Sequence, residues 1–133
     1  MLKFTKVPDE DRMDTGPRTF KNANHWIRFE GFVYDLLDKL SEDYNGGFWE
    51  FFILDNGGFF MSPDQEGLLH IIQPDNYFEG DMSAEAAGIT ACLYAYSHLS
   101  FRYPNGEFGE LYHKLLELVY DHPECPLIMG AID

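Results

Sequence analysis

Five histidines are the residues of this chain best suited to proton transfer or metal ligation: His25, His70, His98, His113 and His122. Their spacing supports neither role. A zinc site needs about four converging nitrogen or sulfur ligands, and no HxxxH or HxxE pattern occurs. His113 and His122 are separated by most of a helix and followed by Pro123, while His70 and His98 lie in apolar segments. Structural histidines are therefore expected. Cys92 and Cys125 make neither a disulfide framework nor a CxxC pair, and read as reduced thiols of a cytosolic compartment. No Gly-x-Ser-x-Gly elbow is present. Ser97 and His98 are adjacent, and neighbours on a helix point about 100° apart, a poor geometry for a nucleophile and its base. Gly46-Gly47 and Gly57-Gly58 lack the Lys-Ser or Lys-Thr of a phosphate loop and read as turn glycines. The pair Glu42-Asp43 offers acid–base chemistry in form, but among 23 acids one loop pair is expected to be solvated surface. No catalytic residue, metal or cofactor is expected.

Charge narrows the partners. The chain has 133 residues and a formal net charge of −14. Seven of its 9 Lys and Arg fall between Lys3 and Lys39, and from Leu40 to Phe101 there are ten acids and no cation. DNA binding draws largely on Lys and Arg neutralising phosphates, so direct binding to bare DNA is not expected. An acidic surface that meets a basic partner, or one that imitates nucleic acid, fits better. The N-terminus lacks the apolar run of a signal peptide, and no stretch reaches the roughly 18 apolar residues of a membrane span. A cytoplasmic protein follows, with its oligomeric state left open.

The elements that must carry any surface site follow from periodicity. Residues 1–23, with Pro8, Gly16 and Pro17 among charges, read as an extended arm. From Asn24 to Leu40, Trp26, Phe29, Val33, Leu36, Leu37 and Leu40 share one helical face, and Asp35, Asp38 and Glu42 fall opposite. Phe48–Leu54 and Phe59–Ser62 read as a hairpin around Asn56-Gly57, the pair favoured where both turn residues take positive φ. Leu68–Gln73 is the expected third strand. Ser83 is suited to cap a helix, and the uncharged run Ala86–Phe101 reads as a buried central helix. Asn105 is the expected cap of a last helix ending near Asp121, followed by a tail, Cys125–Asp133. The fold class is α+β: a small antiparallel three-stranded sheet, a hairpin plus one strand, packed with three to four helices in a single domain spanning 1–133.

Several segments recur together in this order. They are Val7-Pro8-Asp9-Glu10-Asp11-Arg12-Met13 with Pro17-Arg18, and the block Asp43–Pro63 containing Gly46-Gly47-Phe48-Trp49 and Asn56-Gly57-Gly58. Met82-Ser83-Ala84-Glu85 leading to Cys92 follows, then Ala95-Tyr96-Ser97-His98, His122-Pro123-Glu124 and Ile132-Asp133. The set resembles the antirestriction proteins of the ArdB/KlcA type carried by plasmids and other mobile elements, over almost the whole chain. Asp14-Thr15-Gly16 and Phe52 depart from the expected pattern, the latter standing where a tyrosine is usual. The resemblance implies a compact α+β fold and relief of type I restriction that spares modification.

The expected partner is a type I restriction-modification complex or an associated host protein, contacted without chemistry. The candidate partner-binding residues are Asp35, Asp38, Glu42, Asp43 and Asp133. The alternatives are an acidic DNA mimic lying in the DNA channel of a restriction-modification enzyme, and a small hydrolase or metal enzyme.

Overall fold

A computed structural model describes residues 2–133. The order is β1 (Phe4–Lys6), α1 (Arg12–Thr19), α2 (Ala23–Leu40), β2 (Trp49–Leu54), β3 (Phe59–Pro63), β4 (Leu68–Gln73), β5 (Phe78–Ser83), α3 (Ala84–Arg102), α4 (Phe108–Tyr120) and α5 (Cys125–Ile132). Two antiparallel sheets form, β1-β2-β3 and β4-β5, so the class is α+β. No helix among the described residues is long and apolar enough to cross a membrane.

The uncharged run is the centre of the molecule. In its first half α3 carries small and large apolar residues without a polar face, and Ala86 through Leu93 are all buried. Such a stretch must be covered on every side. Toward the end of α3, His98, Phe101 and Arg102 are exposed, so the buried run stops short of the expected Phe101. The helix packs against β3, α2, α4 and α5. Gly88 sets the closeness of the α3–β3 approach, since a Cβ there would lie 2.4 Å from the Met61 carbonyl oxygen and 2.6 Å from Ser62 Cα. Higher on the same helix, the Tyr96 hydroxyl donates to the Phe59 carbonyl at 2.7 Å. Its ring stacks on Phe29 of α2 with centroids 4.7 Å apart. Phe20, Phe59 and Phe108 extend this ring cluster, which supplies large buried area with few side-chain rotamers to freeze.

Helix α2 begins where Asn22 accepts a hydrogen bond from the His25 N–H at 2.8 Å. It buries Phe29, Val33, Leu37 and Leu40, the expected stripe. Ser83 caps α3 through the Ala86 N–H at 3.1 Å. The cap expected of Asn105 does not form: α4 starts after Glu107 with no side-chain cap.

The sheets depart from expectation in an instructive way. The hairpin is β2–β3, but its additional strand is β1, with Phe4 opposite Leu54 and Lys6 opposite Phe52. Leu68–Gln73 pairs instead with Phe78–Ser83, from Leu68↔Ser83 to Gln73↔Phe78. The turn after β2 also differs from the expected pair of left-handed residues, since Gly57 is left-handed at φ 88° and Asn56 is not. Gly57 N–H donates to the Leu54 carbonyl and Leu54 N–H to that of Gly58, each at 2.9 Å. That is a three-residue loop ending in a left-handed glycine. The N-terminal arm is not extended throughout. Its helix α1 forms despite Gly16 and Pro17 because Trp26 of α2 lies against Gly16, where a Cβ would come within 2.6 Å of the indole. The tail Cys125–Ile132 is likewise a helix, bringing the number of α-helices among the described residues to five rather than three to four.

Candidate protein-docking face

Strand β4 alternates. Leu69, Ile71 and Gln73 are buried, and Leu68, His70 and Ile72 face outward. Register places Ser83, Asp81 and Glu79 of β5 beside those outward residues. The outer face is thus an apolar track, Leu68 and Ile72, interrupted by one histidine and flanked by carboxylates. The Asp43 carboxylate accepts from the His70 backbone N–H at 2.8 Å, and Gln65 Nε2 donates to the Asp43 carbonyl at 2.6 Å. These bonds fasten the segment after α2 alongside β4. Between them lies a groove of about 400 Å³ lined by Lys39, Leu40, Glu42, Asp43, His70, Ile72 and Pro74. Ile72 and Pro74 also line a shallower depression reaching Tyr77, Phe78 and Glu79. Tyr77, at the hairpin tip, is 99% exposed. It is also held at φ 52°, left-handed backbone that a bulky residue seldom occupies.

The His70 ring lies between two acids, with Nδ1 2.6 Å from Asp81 and Nε2 2.7 Å from Glu79. Ionised carboxylates only accept, so the imidazolium with both nitrogens protonated satisfies the pair. Hydrogen bonds to Asp81 and then Glu79 raise the His70 pKa above its ordinary value, against slight desolvation. Because the folded value is the higher one, the stabilisation is full below the ordinary value of about 6.5 and is lost as pH rises through the folded value. An NMR titration of the His70 ring should give a midpoint above about 6.5 that falls in Asp81→Asn. A midpoint at or below that value would show that the carboxylates do not hold the ring.

The sequence-derived candidates Asp35, Asp38, Glu42, Asp43 and Asp133 are all exposed. Glu42 and Asp43 meet in the groove beside β4. Glu42 stands beyond the end of α2, which Ser41 terminates, so it does not continue the helical face of Asp35 and Asp38. Asp35 lines a different groove, of about 500 Å³, with Arg28, Phe32, His98 and Arg102. Asp133 ends α5, near enough to Tyr112 for its charge to help raise that phenol after burial has done most of the raising. The five acids do not form one patch. Leu68, His70, Ile72, Tyr77, Glu79 and Asp81 were missed as surface candidates. The alternation of β4 was visible, but its partner strand was not.

Segments that recur in the resemblance also meet in space. Ser83 Oγ donates to Glu124 at 2.6 Å, and the other Glu124 oxygen accepts the Ser83 N–H at 2.8 Å. His122 Nε2 lies 2.7 Å from Glu85, and its Nδ1 accepts the Glu124 N–H at 3.0 Å. With Nδ1 an acceptor, Nε2 carries the proton and donates to Glu85. The Met82–Glu85 and His122–Glu124 segments therefore clasp the start of α5 to the start of α3. Cys92, buried beneath β3, has its thiol pushed up to about 12 by burial, partly offset by its hydrogen bond with Met61. A thiol that stays protonated is a poor nucleophile.

A family model described as antirestriction protein matches residues 42–133. YafX of Escherichia coli K12 is 40% identical over 134 residues, covering 99% of this chain and 88% of YafX. An antirestriction protein KlcA of Escherichia coli is 36% identical, covering 97% of this chain and 92% of KlcA. Among solved structures, one superposes with a TM-score of 0.90 at 35% identity, covering 99% of this chain and 95% of the other. It comes from work on KlcA and ArdB describing a novel fold and antirestriction activity against type I DNA restriction systems in vivo but not in vitro.

Proposed function

Because the chain belongs to the antirestriction protein family, we propose that it relieves type I restriction of incoming DNA, sparing modification. It does so by binding the restriction-modification complex or an associated host protein, with no bond made or broken. The docking surface is the outer face of β4–β5 together with Glu42 and Asp43.

The observation that carries this surface is the exposure of Leu68, Ile72 and Tyr77, at 62%, 44% and 99%, beside the carboxylates of β5 and of the loop after α2. Protein interfaces combine such an apolar, aromatic centre with a polar rim. Enzymes that hold DNA present Lys and Arg to its phosphates, and an acidic rim complements such surfaces and speeds encounter. Activity described for KlcA and ArdB in vivo but not in vitro supports a contact that needs a further cellular component. It argues against simple occupation of the DNA channel, which purified enzyme would report.

The test is transfer of unmodified DNA into strains with and without a type I system, with and without the protein expressed. Transfer into the restricting strain should rise toward that of the non-restricting one, and the DNA recovered from it should have become methylated. Equal restriction in both conditions across several type I systems would sink the proposal.

A further inference from the structure

A second concavity, of about 340 Å³, opens where the start of α2 meets the segment Arg102–Gly106 that joins α3 to α4. Two of the chain's 9 Lys and Arg line it, Lys21 and Arg102, together with His25. In a protein of net charge −14 this is a local reversal of sign.

His25 is only 9% exposed. Its ring packs against both Tyr103 and Phe108, with centroids 4.6 and 5.0 Å away. Behind it, Nδ1 lies 2.8 Å from one oxygen of Glu107. The other Glu107 oxygen accepts the Lys21 backbone N–H at 2.5 Å. Burial would raise the Glu107 pKa, but the backbone N–H groups of Lys21 and Glu107 and the His25 ring outweigh it and lower the net value. An ionised Glu107 only accepts, so Nδ1 carries a ring proton, and in the neutral ring Nε2 then presents a lone pair. Nε2 has no protein partner, and no buried side-chain nitrogen or oxygen among the described residues lacks one, so Nε2 opens onto the concavity. Gly106 leaves that edge uncovered: a Cβ there would sit 3.4 Å from His25 Cε1.

An anion satisfies Lys21 and Arg102, and Nε2 of the neutral ring accepts a proton donor as well. A carboxylate or sulfate brings charge without a proton. A phosphate group, whose last acidity lies near neutrality, brings both. We infer that this concavity is a phosphate-group site, in which one phosphate oxygen shares its proton with His25 Nε2 and the others take hydrogen bonds from Lys21 Nζ and Arg102. Lys21 Nζ already donates to the Asn105 carbonyl at 2.9 Å, which holds the ammonium at the rim with protons to spare. Glu107 is turned away, both of its oxygens occupied by His25 and Lys21.

The site stands apart from the docking face and does not depend on the antirestriction proposal. It is tested on the full chain by following the His25 ring signals in NMR at fixed ionic strength, with inorganic phosphate as probe and sulfate as control. A saturable shift with phosphate is expected, at least roughly tenfold weaker with sulfate, because a missing proton leaves Nε2 without a partner. The Arg102 side chain makes no hydrogen bond among the described residues, so Arg102→Gln is the cleaner variant. It should weaken phosphate binding by roughly tenfold, the scale of one charge-assisted hydrogen bond, with an unchanged circular dichroism spectrum. A nucleoside 5′-monophosphate and a 5′-phosphorylated oligodeoxynucleotide, run in parallel, distinguish a free metabolite from a DNA end, and tighter binding of either supports the site. No saturable shift with phosphate, equal affinity for sulfate, or wild-type affinity in folded Arg102→Gln would each overturn it.

Discussion

Gly88→Ala is expected to destabilise the fold by about 2 kcal/mol or more, although alanine is the better helix former. The added Cβ would lie 2.4 Å from the Met61 carbonyl oxygen and 2.6 Å from Ser62 Cα. Those are backbone atoms of β3, a strand buried along its whole length, so no rotamer change relieves the clash. The α3–β3 contact has to open, and α3 carries most of the packing between the sheet and the other helices. Helix propensity returns only about 1 kcal/mol, against overpacking that costs typically 1–3 kcal/mol and occasionally more. Thermal unfolding should show a midpoint lowered by on the order of 10 °C for a chain of this size. Gly31→Ala is the internal control. Nothing lies within 4 Å of a Cβ built there, and Gly31 is exposed on α2, so its midpoint should hold or rise. A Gly88→Ala midpoint equal to that of Gly31→Ala would refute the close approach of α3 to β3.

The same contrast between pattern and packing separates what was legible in the sequence from what was not. Helix α2 announces itself through its stripe from Phe29 to Leu40, and α3 through the absence of charge. Both signals are local and strong. Strand β5 is Phe78-Glu79-Gly80-Asp81-Met82-Ser83, in which glycine and two acids depress strand propensity. It forms because Met82 is fully buried and Gly80 admits Phe78 and Leu127. Helix α1 contains the two poorest helix formers and is held by the Trp26 ring on Gly16. In both cases tertiary contacts override propensity, and periodicity contains no trace of them. The face of β4–β5 was hidden for the same reason. With β5 unrecognised, His70 had no Asp81 or Glu79 beside it, and the search for acids settled on α2. By spacing alone Glu42 continues the helical face of Asp35 and Asp38, whereas α2 ends at Leu40 and Glu42 lies with Asp43 beside β4.

Ile72→Ser, Tyr77→Gly and Glu42→Gln, combined in one chain, are expected to remove protection against type I restriction and leave the fold intact. Ile72 and Glu42 are exposed and make no side-chain hydrogen bond among the described residues. Tyr77 sits at φ 52°, where glycine relieves strain of the order of 1 kcal/mol, so the variant should be no less stable than the parent. If the outer face of β4–β5 is the contact, its exposed aromatic and aliphatic residues form the centre of the interface. Such residues each contribute about 1–2 kcal/mol or more to binding, so the three changes together should cost at least roughly a hundredfold in affinity. Asp35→Asn with Asp38→Asn removes charge without touching that centre. Charges outside the contact act only through encounter rate, so this pair should give at most a small partial loss. Asp133→Asn, on the far end of the chain in α5, should leave protection unchanged. Protection is read by transfer of unmodified DNA into a restricting strain, and the fold by circular dichroism and thermal midpoint. Full protection by the folded triple variant would clear the β4–β5 face. Loss in Asp35→Asn/Asp38→Asn or Asp133→Asn instead would move the contact to the α2–α3 groove or to the end of α5.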